Sequence, residues 1–354
     1  MTMKAIRLYE AGHLELNDVP VPEIGDHELL VKVRAASICG TDVRMWKNGA
    51  AHASKEHPLI LGHEFAGDIA KVGSAVTGYA AGDRVSVAPN IGCGHCDACV
   101  SGNTHLCDDM QAFGVTMDGG FAEYVRIPEN AIVQGNISKL GDAISYEAAA
   151  LVEPLSCVYN GQTLLGIRPG DDVLLIGLGP IGIMHIMTAR ILGAGKIYVN
   201  DLSEERIEQA CRLLPGVLPI HGDVKEGFRE YGIKGVDVCI IAAPAADAQA
   251  ASLEYMNMNG KLLFFGGLPD HKKIVPINTN LLHYRQLTIQ GCTRQSISEY
   301  RKCAKLVDDG RIPLDLIMSD AYSIEDFETA FANAAAAKGL KHVFRFDGAG
   351  SENV

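Results

Sequence analysis

The sequence predicts an α/β protein in which a doubly wound parallel sheet is joined to a mostly β domain. Three observations lead there. An apolar run, Asp172-Val-Leu-Leu-Ile, enters a glycine-rich turn, Gly177-Leu-Gly179-Pro180-Ile181-Gly182, and then a helical pattern over Ile181–Leu192. From about residue 151 onward, strand-like and helix-like segments alternate, the pattern of a parallel sheet covered by helices. Before residue 150, short apolar runs are broken by closely spaced glycines, Gly62, Gly67, Gly73, Gly78 and Gly82, which reads as irregular β structure. At 354 residues the chain exceeds what one hydrophobic core usually organises, so two domains are expected.

The elements follow in order. In the first part, Leu29–Val33, Gly62–Val72 and Asp83–Ala88 read as strands. In the second, Lys196–Asn200, Val236–Ala242 and Lys261–Gly266 read as strands, separated by helices over Ser203–Leu214 and Ala246–Met256. After about residue 290, helices over Ser298–Asp308 and Ile324–Ala335 lead into a strand over Lys341–Phe346. There is no internal repeat.

Composition narrows the function. Hydrophobic residues make up 47% and charged residues 21%, as in an ordinary globular protein, and the net charge is −12. With no basic cluster, nucleic acid and anionic membranes are not expected partners. The N-terminal residues carry no apolar core of signal-peptide length, and no run reaches the roughly 18–20 apolar residues of a membrane span. A cytoplasmic location is the expectation. Four of the ten cysteines fall between Cys93 and Cys107, and in a cytosolic chain such a cluster is a metal site rather than a disulfide framework.

The turn Gly177–Gly182 fits the G-x-G-x-x-G pattern of a Rossmann dinucleotide site, a weak signal made specific by its place between strand and helix. Glycines let the backbone approach a pyrophosphate, and the helix N-terminus offers free N–H groups to it. Asp201 ends the following strand, where a carboxylate binds the adenosine ribose hydroxyls. A structural glycine turn with Asp201 capping the next helix is the plainer alternative; the ordered set of strand, turn, helix, strand and acid favours NAD. Pro180, Ile181, Arg206, Gly266, Gly267 and Thr293 complete the expected cofactor contacts.

Cys93, Cys96, Cys99 and Cys107 supply four thiolates within one loop. That set suits tetrahedral zinc, and because it leaves no open position the site is structural. His95 and His105 lie among them as bystanders. Elsewhere, Cys39-Gly-Thr41-Asp42 and Gly62-His63-Glu64 bring together a thiol, an imidazole and a carboxylate.

The order of Cys39-Gly-Thr-Asp, Gly62-His63-Glu64, the cysteine lobe, Glu153-Pro154 and the glycine fingerprint resembles the zinc-containing medium-chain dehydrogenase/reductase family. It is nearest to the branch of sorbitol, threonine and galactitol-1-phosphate dehydrogenases. The resemblance covers essentially the whole chain. It implies a Rossmann domain (153–292) inserted in a mostly β, GroES-like catalytic domain formed by 1–152 and 293–354. It also implies a catalytic zinc on Cys39, His63 and Glu64, with Glu153 binding directly or through water. Thr41 would relay the alcohol proton and Asp42 would orient His63. The implied reaction is oxidation of a secondary alcohol with hydride transfer to NAD. A homodimer or homotetramer is implied as well.

One departure stands out. Relatives carry a histidine two residues beyond the aspartate, whereas this chain has Arg44, which cannot shuttle a proton at neutral pH. Either the relay ends in water, or Arg44 holds an anionic group, or it is solvated surface. Arg294 aligns with the arginine that sorbitol dehydrogenases aim at substrate, and Met45 and Trp46 fall where they have aromatics near the polyol. Arg44, Lys47 and Arg294 suit a phosphate or carboxylate, so sugar alcohols, sugar phosphates, sugar acids and L-threonine all remain candidate substrates. Zinc-free reductases lack the cysteine lobe and the Cys39/His63 pair, and a non-catalytic NAD-binding scaffold has no need of them.

Overall fold

A computed structural model describes residues 1–346. The chain divides into two compact units, Met1–Ser156 with the chain from Gln295 on, and Cys157–Arg294. Residues 347–354, which belong to the expected return segment 293–354, lie outside the described residues.

The first unit is built on a seven-stranded sheet. Its order is Ile137–Lys139, Arg84–Val87, Glu64–Val72, Leu29–Ser37, Lys341–Arg345 and Met318–Tyr322, with Tyr124–Ile127 also paired to Leu29–Ser37. Period-two alternation turns Leu29, Val31 and Val33 into a core shared with Phe65, Val85, Val87, Phe121, Phe331 and Phe344. The aromatic rings meet edge to face, Phe121 against Phe344 at 5.2 Å and Phe65 against Phe113 at 5.7 Å. A hairpin that the sequence reading passed over, Thr2–Glu10 with His13–Pro20, pairs with Leu59–Ile60 in a smaller sheet. Its reversal between Glu10 and His13 uses Gly12 at φ +78°, a conformation glycine adopts without strain.

The second unit is a parallel sheet of six strands in the order Leu218–Pro219, Ile197–Asn200, Val173–Ile176, Val236–Ile241, Met256–Phe264 and Thr288–Gly291. This is the doubly wound 3-2-1-4-5-6 arrangement. The central strand is buried along its length, which explains why Val173–Ile176 is apolar at every position instead of alternating. The helix read over Ala246–Met256 stops at Ala251 and gives way to a 3₁₀ turn, Ser252–Tyr255, so the next strand begins at Met256. Ser252 accounts for the change: its buried hydroxyl donates to the Gln249 carbonyl at 2.7 Å, three residues back. Among the described residues no helix is long and apolar enough to cross a membrane.

Candidate active site

Strand register assembles the first metal-ligand set. Ser37 at the end of Leu29–Ser37 pairs with Glu64 on one side and Val343 on the other. Cys39 lies two residues past Ser37, and His63 one residue before Glu64, so adjacent strand ends bring the thiol, imidazole and carboxylate together. Their ligand atoms all lie within 4.8 Å of one another. Gly62 makes the corner possible: its φ is +93°, and a Cβ there would overlap the Phe121 ring. Cys39 caps the helix Gly40–Asn48, which fixes its backbone at the helix N-terminus.

The surroundings of this set are buried and charged. Asp42 accepts a hydrogen bond from the Cys39 backbone N–H at 2.8 Å, and its other oxygen faces His63 Nδ1 at 3.4 Å. That contact leaves Nε2 as the ring nitrogen available to a metal. Burial opposes protonation of His63, but Asp42 and Cys39 outweigh it and lift its pKa well above the usual value. The donors therefore hold a proton where a divalent cation would displace it. Glu64 Oε1 is buried with no hydrogen-bond partner, an orphan that metal ligation would satisfy. The residues fit zinc: a borderline-soft thiolate, an imidazole and a carboxylate leave a fourth position open.

Lys341 is the residue the sequence reading missed. It is buried, and its Nζ donates to Glu64 Oε2 at 2.6 Å and to the Ile38 carbonyl at 3.0 Å. Burial works against its charge, but Glu64, Cys39 and Glu153 overcome that and raise its pKa. No motif marks it; only the pairing of Val343 with Ser37 brings it to the site. Lys341→Met should leave a buried carboxylate uncompensated, at about 3–5 kcal/mol. In the metal-free protein the melting temperature should fall by on the order of 10 °C, and in the zinc-loaded protein by less, because the cation also neutralises Glu64. Equal shifts in calorimetry of the two forms would show that Lys341 and the cation do not share that carboxylate.

The other expected residues fall as follows. Glu153 is buried in the first turn of the helix Val152–Leu165 and acts electrostatically on Lys341, but is not one of the three clustered donors. Thr41 is half-buried, and the exposed Arg44 donates to its hydroxyl at 3.5 Å. Met45 is buried in the core, and the half-buried Trp46 packs against it, edge-on to Phe331 at 5.7 Å. Arg44 belongs to the first unit and Arg294 to the second.

Cys93, Cys96, Cys99 and Cys107 also bring their sulfurs within 4.8 Å of one another, without His95 or His105. The backbone N–H groups of His95 and Cys96 lower the Cys93 thiol to about 6, whereas burial pushes Cys99 up to about 12. Four thiols held so close share out few negative charges by themselves; a cation would let all four ionise. The lobe is rooted by Gln134, which donates to the Gly92 carbonyl at 2.7 Å, and by Asn136, which donates to Ala88 and Asn90 at 2.8 Å.

In the second unit, Gly177 takes φ +100° and Gly179 caps the helix Pro180–Ile191, with Pro180 in the first turn. A side chain at Gly182 would run into the Gly177 carbonyl, so helix and strand approach only with glycine there. Asp201 accepts from the backbone N–H groups of Leu178 at 2.7 Å and Ser203 at 2.9 Å, which fixes its carboxylate beside the turn. Arg206 Nη1 is 4.0 Å from it. Gly266 follows the strand Met256–Phe264, and a Cβ there would lie 2.8 Å from the Ala243 carbonyl oxygen. Gly266, Gly267 and Thr293 thus share with Gly177 and Asp201 the carboxyl end of the parallel sheet, where such sheets bind ligands.

Residues 25–138 match the alcohol dehydrogenase GroES-like domain, and residues 180–309 match the zinc-binding dehydrogenase domain. The chain belongs to the zinc-binding dehydrogenases. This dehydrogenase is 33% identical to sorbitol dehydrogenase of Bacillus subtilis over 95% of its own length and 94% of that protein. It is equally 33% identical to L-threonine 3-dehydrogenase of Escherichia coli K12, over 98% of its own length and 100% of the other. Among solved structures, a chain from Sinorhizobium meliloti 1021 described as a zinc-binding dehydrogenase and bound to NADP superposes with a TM-score of 0.89. That pair is 32% identical over 98% of this chain and 99% of the other. The 2R,3R-butanediol dehydrogenase of Bacillus subtilis superposes with a TM-score of 0.86 at 26% identity, covering 97% and 99%. The dehydrogenase is therefore a zinc enzyme of the medium-chain family that uses a nicotinamide dinucleotide and acts on a small molecule. The inserted Rossmann fold and the sorbitol and threonine branch expected from the sequence stand.

Proposed function

We propose that this enzyme oxidises a secondary alcohol of a polyol or sugar derivative to the ketone, with NAD⁺ as acceptor, in the cytoplasm and as a homo-oligomer. The observation that carries the reading is the open three-donor cluster of Cys39, His63 and Glu64 in one chain with the glycine turn and Asp201. Cys39, His63 and Glu64 hold the catalytic zinc, Glu153 acts on it directly or through water, and Cys93, Cys96, Cys99 and Cys107 hold a second, structural zinc. When bound, the zinc polarises the substrate oxygen and the nicotinamide accepts the hydride. Asp42 fixes the His63 ring, and Lys341 donates to Glu64 in a buried setting and holds its carboxylate in place. Thr41 takes the alcohol proton. The Arg44 guanidinium beside the Thr41 hydroxyl has donors and no acceptor, so the proton leaves to water and not through a side chain at that position. Arg44 and Arg294 contact the substrate's oxygen-rich or anionic end.

Asp201 favours NAD⁺. Both its oxygens are held by backbone N–H groups, so the carboxylate cannot swing away from a 2′-phosphate. Two anions about 4 Å apart repel by roughly 1–4 kcal/mol at an effective dielectric of ~20–80. Arg206 at 4.0 Å offsets part of this. Turnover of D-sorbitol, D-sorbitol 6-phosphate, galactitol 1-phosphate, aldonates and L-threonine with each cofactor tests the proposal. NAD⁺ should be preferred by at least about tenfold in kcat/KM, an effect of ~1.4 kcal/mol, and Asp201→Ala should erode the preference from both sides. Equal or better use of NADP⁺ would hand control of the pocket to Arg206, and oxidation of none of these alcohols would sink the substrate class.

A further inference from the structure

Four non-glycine residues among those described take a positive φ: Asn259, Gln286, Arg294 and Ala337. Asn259 and Gln286 are bonded to each other through their exposed side chains at 3.1 Å. Ala337 follows the C-terminus of the helix Phe327–Ala335, where a left-handed residue is common. Arg294 has no such local reason. At φ +53° it takes a backbone conformation that is unfavourable for an L-residue and persists only where the surroundings impose it.

The surroundings are in the same unit. Asn160, on the helix Val152–Leu165, is 3% exposed, and its amide donates to the Arg294 carbonyl at 2.9 Å and to the Thr293 carbonyl at 3.5 Å. One buried side chain thus grips two consecutive carbonyls on either side of the left-handed turn. The next residue shows how close the two segments lie. A Cβ on Gly161 would come within 2.9 Å of the Cys292 sulfur and 3.0 Å of the Leu263 side chain, so the helix packs closely on the segment that leads into Arg294. Gly161 sets the approach and Asn160 supplies the directional bonds.

We propose that Asn160 is a positioning residue for substrate recognition: its amide holds the Thr293–Arg294 peptide in the left-handed turn from which the Arg294 guanidinium binds the hydroxyl-rich or anionic end of the substrate. The proposal rests on the reading of Arg294 as a substrate residue given above. Without the amide the backbone relaxes toward an unstrained φ, and the long side chain no longer starts from the same point. Substrate binding suffers, while the donors Cys39, His63 and Glu64, which belong to the other unit, keep their arrangement.

The test uses the zinc-loaded enzyme, NAD⁺, and whichever of D-sorbitol, D-sorbitol 6-phosphate, galactitol 1-phosphate or L-threonine is oxidised fastest. Arg294→Ala should raise KM about tenfold, in line with a charged hydrogen bond. Asn160→Ala should raise KM severalfold, with kcat within about twofold of wild type. The double variant should be no worse than Arg294→Ala alone, because both changes remove the same interaction. Asn160→Ser, which keeps a donor, is read in the same way should the alanine variant fail to fold, and is expected to be milder. A raised KM in Arg294→Ala with none in either Asn160 variant would overturn the inference and leave the Arg294 reading intact. Independent, additive effects would overturn it as well. An unchanged KM in Arg294→Ala would remove both, as would oxidation of none of the four compounds.

Discussion

Cys39→Ser is expected to abolish turnover while leaving the protein folded and able to bind NADH. The change replaces one of three donors gathered within 4.8 Å, and a serine hydroxyl does not ionise to fill the place of a thiolate. Losing a partner that merely orients a ligand typically costs roughly 10–100-fold, so losing a ligand itself should cost more, about 10³-fold or beyond in kcat. The fold should survive because Cys39 is a half-buried helix cap and not part of the core, and the dinucleotide residues all belong to the other unit. Metal analysis, circular dichroism and NADH fluorescence titration accompany the kinetics. Near-normal turnover in a protein that retains its zinc would refute the assignment of Cys39.

Cys96→Ser should fail in the opposite manner. The lobe between Asn90 and Asp108 has one four-residue helix, Asp97–Val100, and one 3₁₀ turn, Thr104–Leu106, with Val100 and Leu106 facing solvent. Apart from Ile91 at its root, only Cys99 and Cys107 among its apolar residues are buried. Structural zinc supplies about 10–16 kcal/mol in small peptides of this kind, and a lobe with no alternative core depends on most of it. The variant should lose one zinc per chain, become sensitive to proteolysis across residues 93–107, and melt at least about 10 °C lower. Activity per folded molecule should stay close to wild type until the protein unfolds. Retention of both zincs together with an unchanged melting temperature would mean the four thiols are not a metal site.

Much of this was legible in the sequence because local chemistry announces itself. The glycine turn carries its own context: Gly177 needs a positive φ and Gly182 a bare backbone, and no other residue type serves either need. Four cysteines in one loop have few other uses. Cys39 and His63 were legible only as part of an ordered set, since their approach is created by strand register 24 residues apart in the chain and not by spacing. The rest was invisible for physical reasons. Lys341 looks like any lysine in a strand until Val343 is known to pair with Ser37. Asn160 gave no signal, because a polar residue in a helix reads as surface unless its burial is known. Met45 and Trp46, placed near the substrate by the resemblance alone, show the converse: their packing on the core, Trp46 edge-on to Phe331, has no signal in the neighbouring residues.

The pairing of Glu64 with Lys341 also dictates an order of events during synthesis. The two residues are 277 positions apart, so at 5–20 residues per second the thiol, imidazole and carboxylate wait roughly 14–55 s for their lysine. Over the same interval the strand Leu29–Ser37 lacks Lys341–Arg345, the neighbour that completes its sheet. The parallel sheet suffers no such delay, since every one of its strands lies between residues 173 and 291 and is made without interruption. The unit that emerges first therefore closes last, and a nascent chain stalled before residue 341 would carry a finished dinucleotide fold while its metal site still lacked its buried positive charge.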